Sequence, residues 1–316
     1  MSVLVTGGAG MIGARIVSHL LARDLTVVSF DTEASQPRLG GYADDERLSC
    51  VGGDIRDEQT VQSAIDTHGV THVIHMAALL APITEDEPAL GMAVNVTGAN
   101  NVFEAARHAG VKRVVYPTSM AVYADQSAYG DIAVDEDSER HPFNLYGYSK
   151  LINEEVAKAY TRNFELDTRG LRIATVLGHG RITGRSAAAA RLISCAAVGE
   201  PFVCNVAPEQ VTPFIFVDDV AETLVRVCFA DNLDLPVYVG SNIPASMTEI
   251  VDIVRRYAPD CDISVEKGAV PYPVIKRMDA SRIEKALGYK LPSLESRILD
   301  QMNEARRERQ LPELEP

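Results

Sequence analysis

The sequence predicts an α/β fold built on a doubly wound parallel sheet, with a smaller C-terminal α/β region that binds substrate. Two observations predict it. Residues 2–6, 25–30, 47–52, 72–76 and 112–118 are short apolar runs of buried-strand length, and the segments 11–23, 57–68 and 86–109 between them carry helical periodicity. Alternating strands and helices of this kind give parallel strands covered by helices on both faces.

A further long helix is expected at 144–163 and a strand at 166–173, so the first domain takes in residues 1–175. Residues 178–185 are rich in Gly and Arg and predict a loop. The helix predicted over 187–199 ends at Gly199, before Pro201. The remaining elements are a strand and helix within 212–230, a strand at 236–240, a helix at 246–257 and a polar helix at 293–311. Residues 176–316 form the mainly substrate-binding region, with some segments returning to the first domain.

Composition narrows the function. The 316 residues carry a net charge of −14 with the acids spread along the chain, which disfavours nucleic acid as a partner. The five cysteines, Cys50, Cys195, Cys204, Cys228 and Cys261, include no Cys-x-x-Cys pair. That count fits neither a disulfide framework nor a zinc site, so no metal and reduced cytoplasmic thiols are expected. No leader pattern precedes Ser2-Val3-Leu4-Val5, and no apolar run approaches the ~18 residues of a membrane span. A soluble protein with a small-molecule substrate is therefore expected, and no membrane partner.

The first strand runs into Thr6-Gly7-Gly8-Ala9-Gly10-Met11-Ile12-Gly13. Gly7 permits a tight turn, Gly10 lets backbone approach a pyrophosphate, and Gly13 lets the helix pack closely on the sheet, as in a Rossmann-type dinucleotide site. The helix N-terminus beyond offers unpaired N–H groups to phosphate. Asp31, after the second strand, is placed for the adenosine ribose hydroxyls and disfavours the extra phosphate of NADP, so NAD is expected. Arg38 is the nearest arginine afterwards. Asp54-Ile55 follows the third strand, where it suits an adenine contact or a helix cap equally well. Ala77-Ala78 follows the fourth, with small side chains where a cofactor would pass.

Tyr146-Gly147-Tyr148-Ser149-Lys150 places a phenol and an ammonium on one helix face. A nearby cation lowers a phenol's pKa, and Lys150 is placed to act so. The phenol can then remove a hydroxyl proton as hydride leaves for a nicotinamide. The fifth strand ends at Thr118-Ser119, on the edge where such sheets bind ligands, so Ser119 is the candidate hydrogen bond to the reacting oxygen, with Thr118 in support.

Together these residues resemble the extended short-chain dehydrogenases/reductases of the NAD-dependent epimerase/dehydratase family. The resemblance covers essentially the whole chain. It rests on TGGAGMIG at 6–13, Asp31, Asp54-Ile55, HMAA at 75–78, VNVTGANNVFEAA at 94–106, VVYPTSMAVY at 114–123, YGYSK at 146–150 and FVDDVAE at 216–222. It implies Ser119, Tyr146 and Lys150 as a catalytic triad, Asn95 as a brace of the cofactor site, and a homodimer paired through helices 86–109 and 144–163. The substrate pocket is expected from 80–86, 119–125, 175–191 and 212–214. Its candidates are Leu80, Ser119, Met120, Ala121, Tyr146, Thr175, Arg181, Arg185 and Thr212.

The chain departs from those relatives that act on nucleotide-diphosphate sugars. Thr175 stands where their diphosphate-binding Asn would be, Thr212-Pro213-Phe214 replaces Arg-Asp-Phe, and Val270-Pro271-Tyr272-Pro273 replaces Arg-Pro-Gly-Asp. A diphosphate taken from water without such partners is costly. Ser119-Met120-Ala121 also lacks the Asp-Glu pair of the dehydratases. The expected activity is therefore a dehydrogenase or ketoreductase on a secondary alcohol of a sugar, sugar acid or hydroxy acid. A nucleotide-sugar 4-epimerase is the alternative, and a non-catalytic NAD-binding scaffold a more distant one.

Overall fold

The computed structural model describes residues 1–316 except Ala34, Arg185, Lys267 and Val270. The chain begins with β1 (Ser2–Thr6), α1 (Met11–Leu21), β2 (Thr26–Asp31), β3 (Leu48–Gly52), α2 (Glu58–Thr67) and β4 (His72–His75). Next come α3 (Ile83–Asp86), α4 (Pro88–Met92), a π-helical turn at Ala93–Gly98, α5 (Ala99–His108) and β5 (Arg113–Ser119). After α6 (Leu145–Phe164) follow β6 (Asp167–Ile173), β7 (Thr175–Leu177), α7 (Ala187–Ala197), β8 (Phe202–Cys204), β9 (Thr212–Phe216), α8 (Val217–Phe229) and β10 (Val237–Val239). The last elements are β11 (Ile243–Ala245), α9 (Met247–Tyr257), β12 (Ile263–Val265), α10 (Ser281–Leu287) and α11 (Leu294–Glu308).

Seven strands form one sheet in the order β10-β6-β5-β4-β1-β2-β3, and every pairing in it is parallel. The order reverses between β1 and β4, the crevice where such sheets bind ligands. On one face, α1 and α8 pack against β1, β2 and β6 through Ile16, Leu20, Val220 and Leu224. On the other, Val61, Ile65, Val102, Phe103 and Tyr160 bring α2, α5 and α6 onto the sheet. Thus α8 and β10, late in the sequence, complete the first sheet. A separate apolar cluster joins α7, α9 and α11 to β9, through residues such as Ile193, Phe214, Ile250, Ile298 and Met302.

The helix expected over 86–109 starts two residues later, at Pro88, and runs to His108 through a π-helical turn. Glu87 leaves the helical region at φ −128°, ψ 70°, and Pro88 opens the next helix, where its missing N–H costs nothing. The π-helical turn then carries Asn95, as such turns often do at functional sites. No helix among the described residues is long and apolar enough to cross a membrane.

Candidate active site

The glycine turn is closed by contact as well as by backbone freedom. Gly7 has φ +69°, and a Cβ there would stand 2.7 Å from the Ala77 nitrogen. A Cβ on Gly13 would stand 2.0 Å from the Gly7 carbonyl oxygen, whereas one on Gly10 would meet only that oxygen, at 3.0 Å. Gly7 and Gly13 therefore fold the turn, and Gly10 keeps its outer face clear. No side chain caps the N-terminus of α1 and its first turn holds no acid, so its N–H groups are available to an anion. Gly7, Gly10, Met11, Ile12 and Gly13 all line one cavity of about 540 Å³.

Asp31 ends β2 and pins this turn, its carboxylate accepting the Ala9 N–H at 3.0 Å and the Glu33 N–H at 3.2 Å. Arg38 folds back to donate to the Ala9 carbonyl at 3.2 Å and lines the cavity, a placement that sequence distance from Asp31 concealed. Asp54 and Ile55, Asp31, Ala77 and Asn95 do not line the enclosed space, whereas Ala78 does. The Asp54 carboxylate accepts the side chain and N–H of Arg56, each at 2.9 Å, and the Arg56 hydrogen bond holds its carboxyl below the usual range. Ile55 is buried, and a Cβ on Gly98 would stand 2.7 Å from it. The cap of α2 is Asp57, which accepts the N–H groups of Gln59 and Thr60.

Asn95 braces the wall of the site. It accepts the Leu79 N–H at 2.7 Å and donates to the Leu79 carbonyl at 2.8 Å and to Ser149 Oγ at 3.3 Å. Its own carbonyl accepts Asn153 of α6 at 2.8 Å.

The end of β5 meets the start of α6. Asn144 caps α6 by accepting the Gly147 N–H at 2.8 Å, and Tyr146 and Lys150 face the same cavity as Ser119. Ser119 and the Tyr146 phenol thus share one wall, and Ser119 Oγ accepts the Ala121 N–H at 3.1 Å. Thr118 turns its hydroxyl to Glu154 at 2.7 Å, which Arg172 grips with bonds of 3.0 and 2.8 Å. Thr118 thus ties β5 to α6 instead of facing the reacting group.

Lys150 is buried and donates to the Pro117 carbonyl at 3.1 Å, its nitrogen 5.6 Å from the centroid of the Tyr146 ring. Burial lowers its pKa to about 8. Burial also pushes the Tyr146 phenol up, against the Ser119 hydroxyl and then the Arg181 guanidinium, which both pull it down. Arg181 is thus a second cation acting on the phenol, one the sequence reading does not assign to it.

Leu80, Met120, Ala121, Thr175 and Arg181 line the same cavity. Thr175 donates to Met120 Sδ at 3.4 Å. Arg181 Nε is buried and has no hydrogen-bond partner among the described residues. Arg185 lies outside the described residues. Thr212 is a correction to the expected pocket: it is 1% exposed, paired with Ala245 in the three-stranded sheet β11-β9-β7, and absent from the cavity wall. As the central strand of that sheet, β9 is buried along its whole length, which removes 212–214 from the pocket.

Tyr272, Pro273, Val274 and Ile275 form a further wall; the sequence reading notes Tyr272-Pro273 only as a lost diphosphate anchor and does not count the stretch in the pocket. Asp125 accepts the Val274 N–H at 3.0 Å and Gln126 the Lys276 N–H at 2.8 Å, across 149 and 150 positions of chain. The cavity thus places a phenol, a hydroxyl, an ammonium and a guanidinium beside a glycine turn with a free helix terminus, a set suited to moving a proton beside a bound dinucleotide.

Comparison with known proteins gives the family and the fold. The model of the NAD dependent epimerase/dehydratase family matches residues 3–236. D-erythronate dehydrogenase of Cupriavidus necator is 32% identical over 226 residues, 66% of each chain, so the match spans just under two thirds of that relative. The structure of UDP-glucose 4-epimerase from Thermus thermophilus in complex with NAD superposes with a TM-score of 0.78 at 25% identity, covering 97% of this chain and 99% of the other. L-threonine 3-dehydrogenase from Trypanosoma brucei shares the fold, with a TM-score of 0.87 at 21% identity over 99% of both chains. The chain belongs to the NAD dependent epimerase/dehydratase family, among the extended short-chain dehydrogenase/reductase enzymes that use NAD.

Proposed function

We propose that the protein is a dehydrogenase acting on the secondary alcohol of a small hydroxy acid or sugar acid, read in either direction as alcohol oxidation or ketone reduction. When bound, NAD supplies the hydride acceptor. The glycine turn, Asp31 and Lys150 are the groups that would hold it. Tyr146 Oη takes the hydroxyl proton of the substrate or returns it to the ketone, Ser119 Oγ hydrogen-bonds the same oxygen, and Lys150 keeps a positive charge beside the phenol and the cofactor's ribose.

The observation that carries the acid substrate is Arg181. A guanidinium facing the phenol with its Nε buried and unpartnered among the described residues is costly unless a ligand supplies an anion. A carboxylate matches its fork. The D-erythronate dehydrogenase relative, named for a hydroxy acid, supports this reading.

The test is a screen of hydroxy acids, aldonates, sugars and polyols with NAD and with NADP, followed by NADH formation. The reading expects NADH equal to the alcohol consumed, from acids and not from polyols of the same length. The epimerase alternative, supported by the overall likeness to UDP-glucose 4-epimerase, expects interconversion of a nucleotide sugar with no NADH accumulating, and that result overturns the reading.

A homodimer is part of the proposal. Tyr148, Ile152 and Phe164 leave 49%, 37% and 53% of their surface exposed along α6, supporting helix pairing across a two-fold axis. Light scattering expects twice the chain mass; a monomer at micromolar concentration contradicts it. Five free cysteines, with Cys50 exposed, support a reducing, cytoplasmic setting.

A further inference from the structure

Arg181 lies on a loop with little to stiffen it. Gly178 and Gly180 precede it and Gly184 follows, and Gly180 and Gly184 occupy the left-handed region at φ +77° and +82°. Such backbone is permissive, so a side chain on this stretch must hold the guanidinium where the substrate needs it. Behind Arg181 lies a second cavity of about 230 Å³, whose wall includes Arg181, His179, Ser194 and Glu308. The loop is therefore not backed by a packed core at this point.

His179, two residues before Arg181, fills that need. Its Nδ1 stands 3.0 Å from Ser194 Oγ on α7, and its Nε2 is hydrogen-bonded to the Glu308 carboxylate at the end of α11. Gln301 of α11 donates to Ser194 Oγ at 3.2 Å and to the Ala190 carbonyl at 2.7 Å. Donors and acceptors then run one way: Gln301 N–H to Ser194, Ser194 O–H to His179 Nδ1, and His179 Nε2–H to Glu308. Arg306 adds a bond of 2.6 Å to the Ala197 carbonyl, which locks α11 to the end of α7. No local pattern in the chain signals this clasp, because its parts are separated by up to 129 positions.

We propose that His179 and Glu308 are positioning residues for Arg181, so that the C-terminal helix, through a clasp on the loop, sets the enzyme's affinity for the carboxylate of its substrate. The proposal rests on the hydroxy-acid reading above. Neither residue touches the reacting atoms. Releasing the clasp lets the glycine-flanked loop move and weakens substrate binding, while proton transfer at Tyr146 and binding of NAD continue.

Steady-state kinetics of Arg181→Ala, His179→Ala, Glu308→Ala, Glu308→Gln and the Arg181→Ala/Glu308→Ala pair test it, using the best acid from the screen. Glu308 is 68% exposed, so its variants fold, which melting curves check. The proposal expects KM for the acid to rise about tenfold in His179→Ala and Glu308→Ala, the scale of one lost charge-assisted hydrogen bond, with KM for NAD and the high-pH plateau of kcat nearly unchanged. Glu308→Gln, which still accepts the Nε2–H, restores most of the affinity, and Glu308→Ala adds nothing once Arg181 is Ala. If Arg181→Ala raises KM but the Glu308 and His179 variants do not, or if the effects add in the pair, the clasp is wrong and the acid reading stands. If Arg181→Ala leaves KM unchanged, the acid reading falls and the clasp with it.

Discussion

A Cβ built on Gly147 would stand 2.3 Å from the carbonyl oxygen of Ala121. That contact is how the first turn of α6, carrying Tyr146, comes against the turn that follows Ser119. Gly147→Val forces the two apart and moves Tyr146 away from Ser119. We expect kcat to fall about a hundredfold, the scale of an ångström of misplacement, with NAD affinity unchanged by fluorescence titration. An unaltered kcat would mean that the spacing is set elsewhere.

Lys150 trades stability for function. Its pKa falls from 10.5 to about 8 on burial, so the folded state disfavours the charged amine. That penalty is full below about pH 8 and fades as the pH rises toward the unfolded value. Lys150→Met should therefore stabilise the ligand-free protein at pH 7 by about 1–2 kcal/mol, after the loss of the bond to Pro117 is subtracted. Denaturant unfolding should find that gain gone by about pH 10.5, while activity is lost throughout.

Asp31 and Arg38 both bond to Ala9 of the glycine turn, and the proposed reading makes Asp31 the residue that selects NAD. Asp31→Ser removes the acceptor for ribose hydroxyls and the charge that repels a 2′-phosphate. The ratio of kcat/KM for NAD over NADP should drop by about a hundredfold, and adding Arg38→Ala should cancel the gain with NADP. A ratio unmoved by Asp31→Ser counts against this residue as the discriminator.

The pH dependence of kcat for alcohol oxidation reports the phenol. Burial raises its pKa, while Ser119 and Arg181 pull it back, so oxidation climbs with pH as Tyr146 loses its proton. Removing either helper favours the neutral phenol, so Ser119→Ala and Arg181→Ala should each move the rising limb to higher pH. A shift to lower pH in either variant contradicts the assignment.

The parallel sheet was legible because its first five strands lie in short apolar runs separated by helical segments, and the glycine turn because close packing leaves no choice at Gly7 and Gly13. Pro88 is the local signal for the helix start after Glu87, whereas the π-helical turn at Asn95 was not legible, since nothing in its composition interrupts the helix. Of the five three-residue strands, only β10 was expected, from the apolar stretch 236–240; β7, β8, β11 and β12 are too short to show a period by themselves. Arg38 and the Tyr272–Ile275 wall reach the site through hydrogen bonds across the fold, to Ala9 and to Asp125 and Gln126. Nothing local in the sequence encodes such contacts. The same holds for Thr212, which chain order placed by the pocket and the strand order of β9 withdrew.

The most direct measurement is the formation of NADH by the wild-type protein and by Tyr146→Phe with the preferred hydroxy acid. The account predicts one NADH per alcohol oxidised, a loss of about a thousandfold in kcat in the variant, and unchanged NAD binding. A Tyr146→Phe enzyme that turns over at the wild-type rate would contradict it.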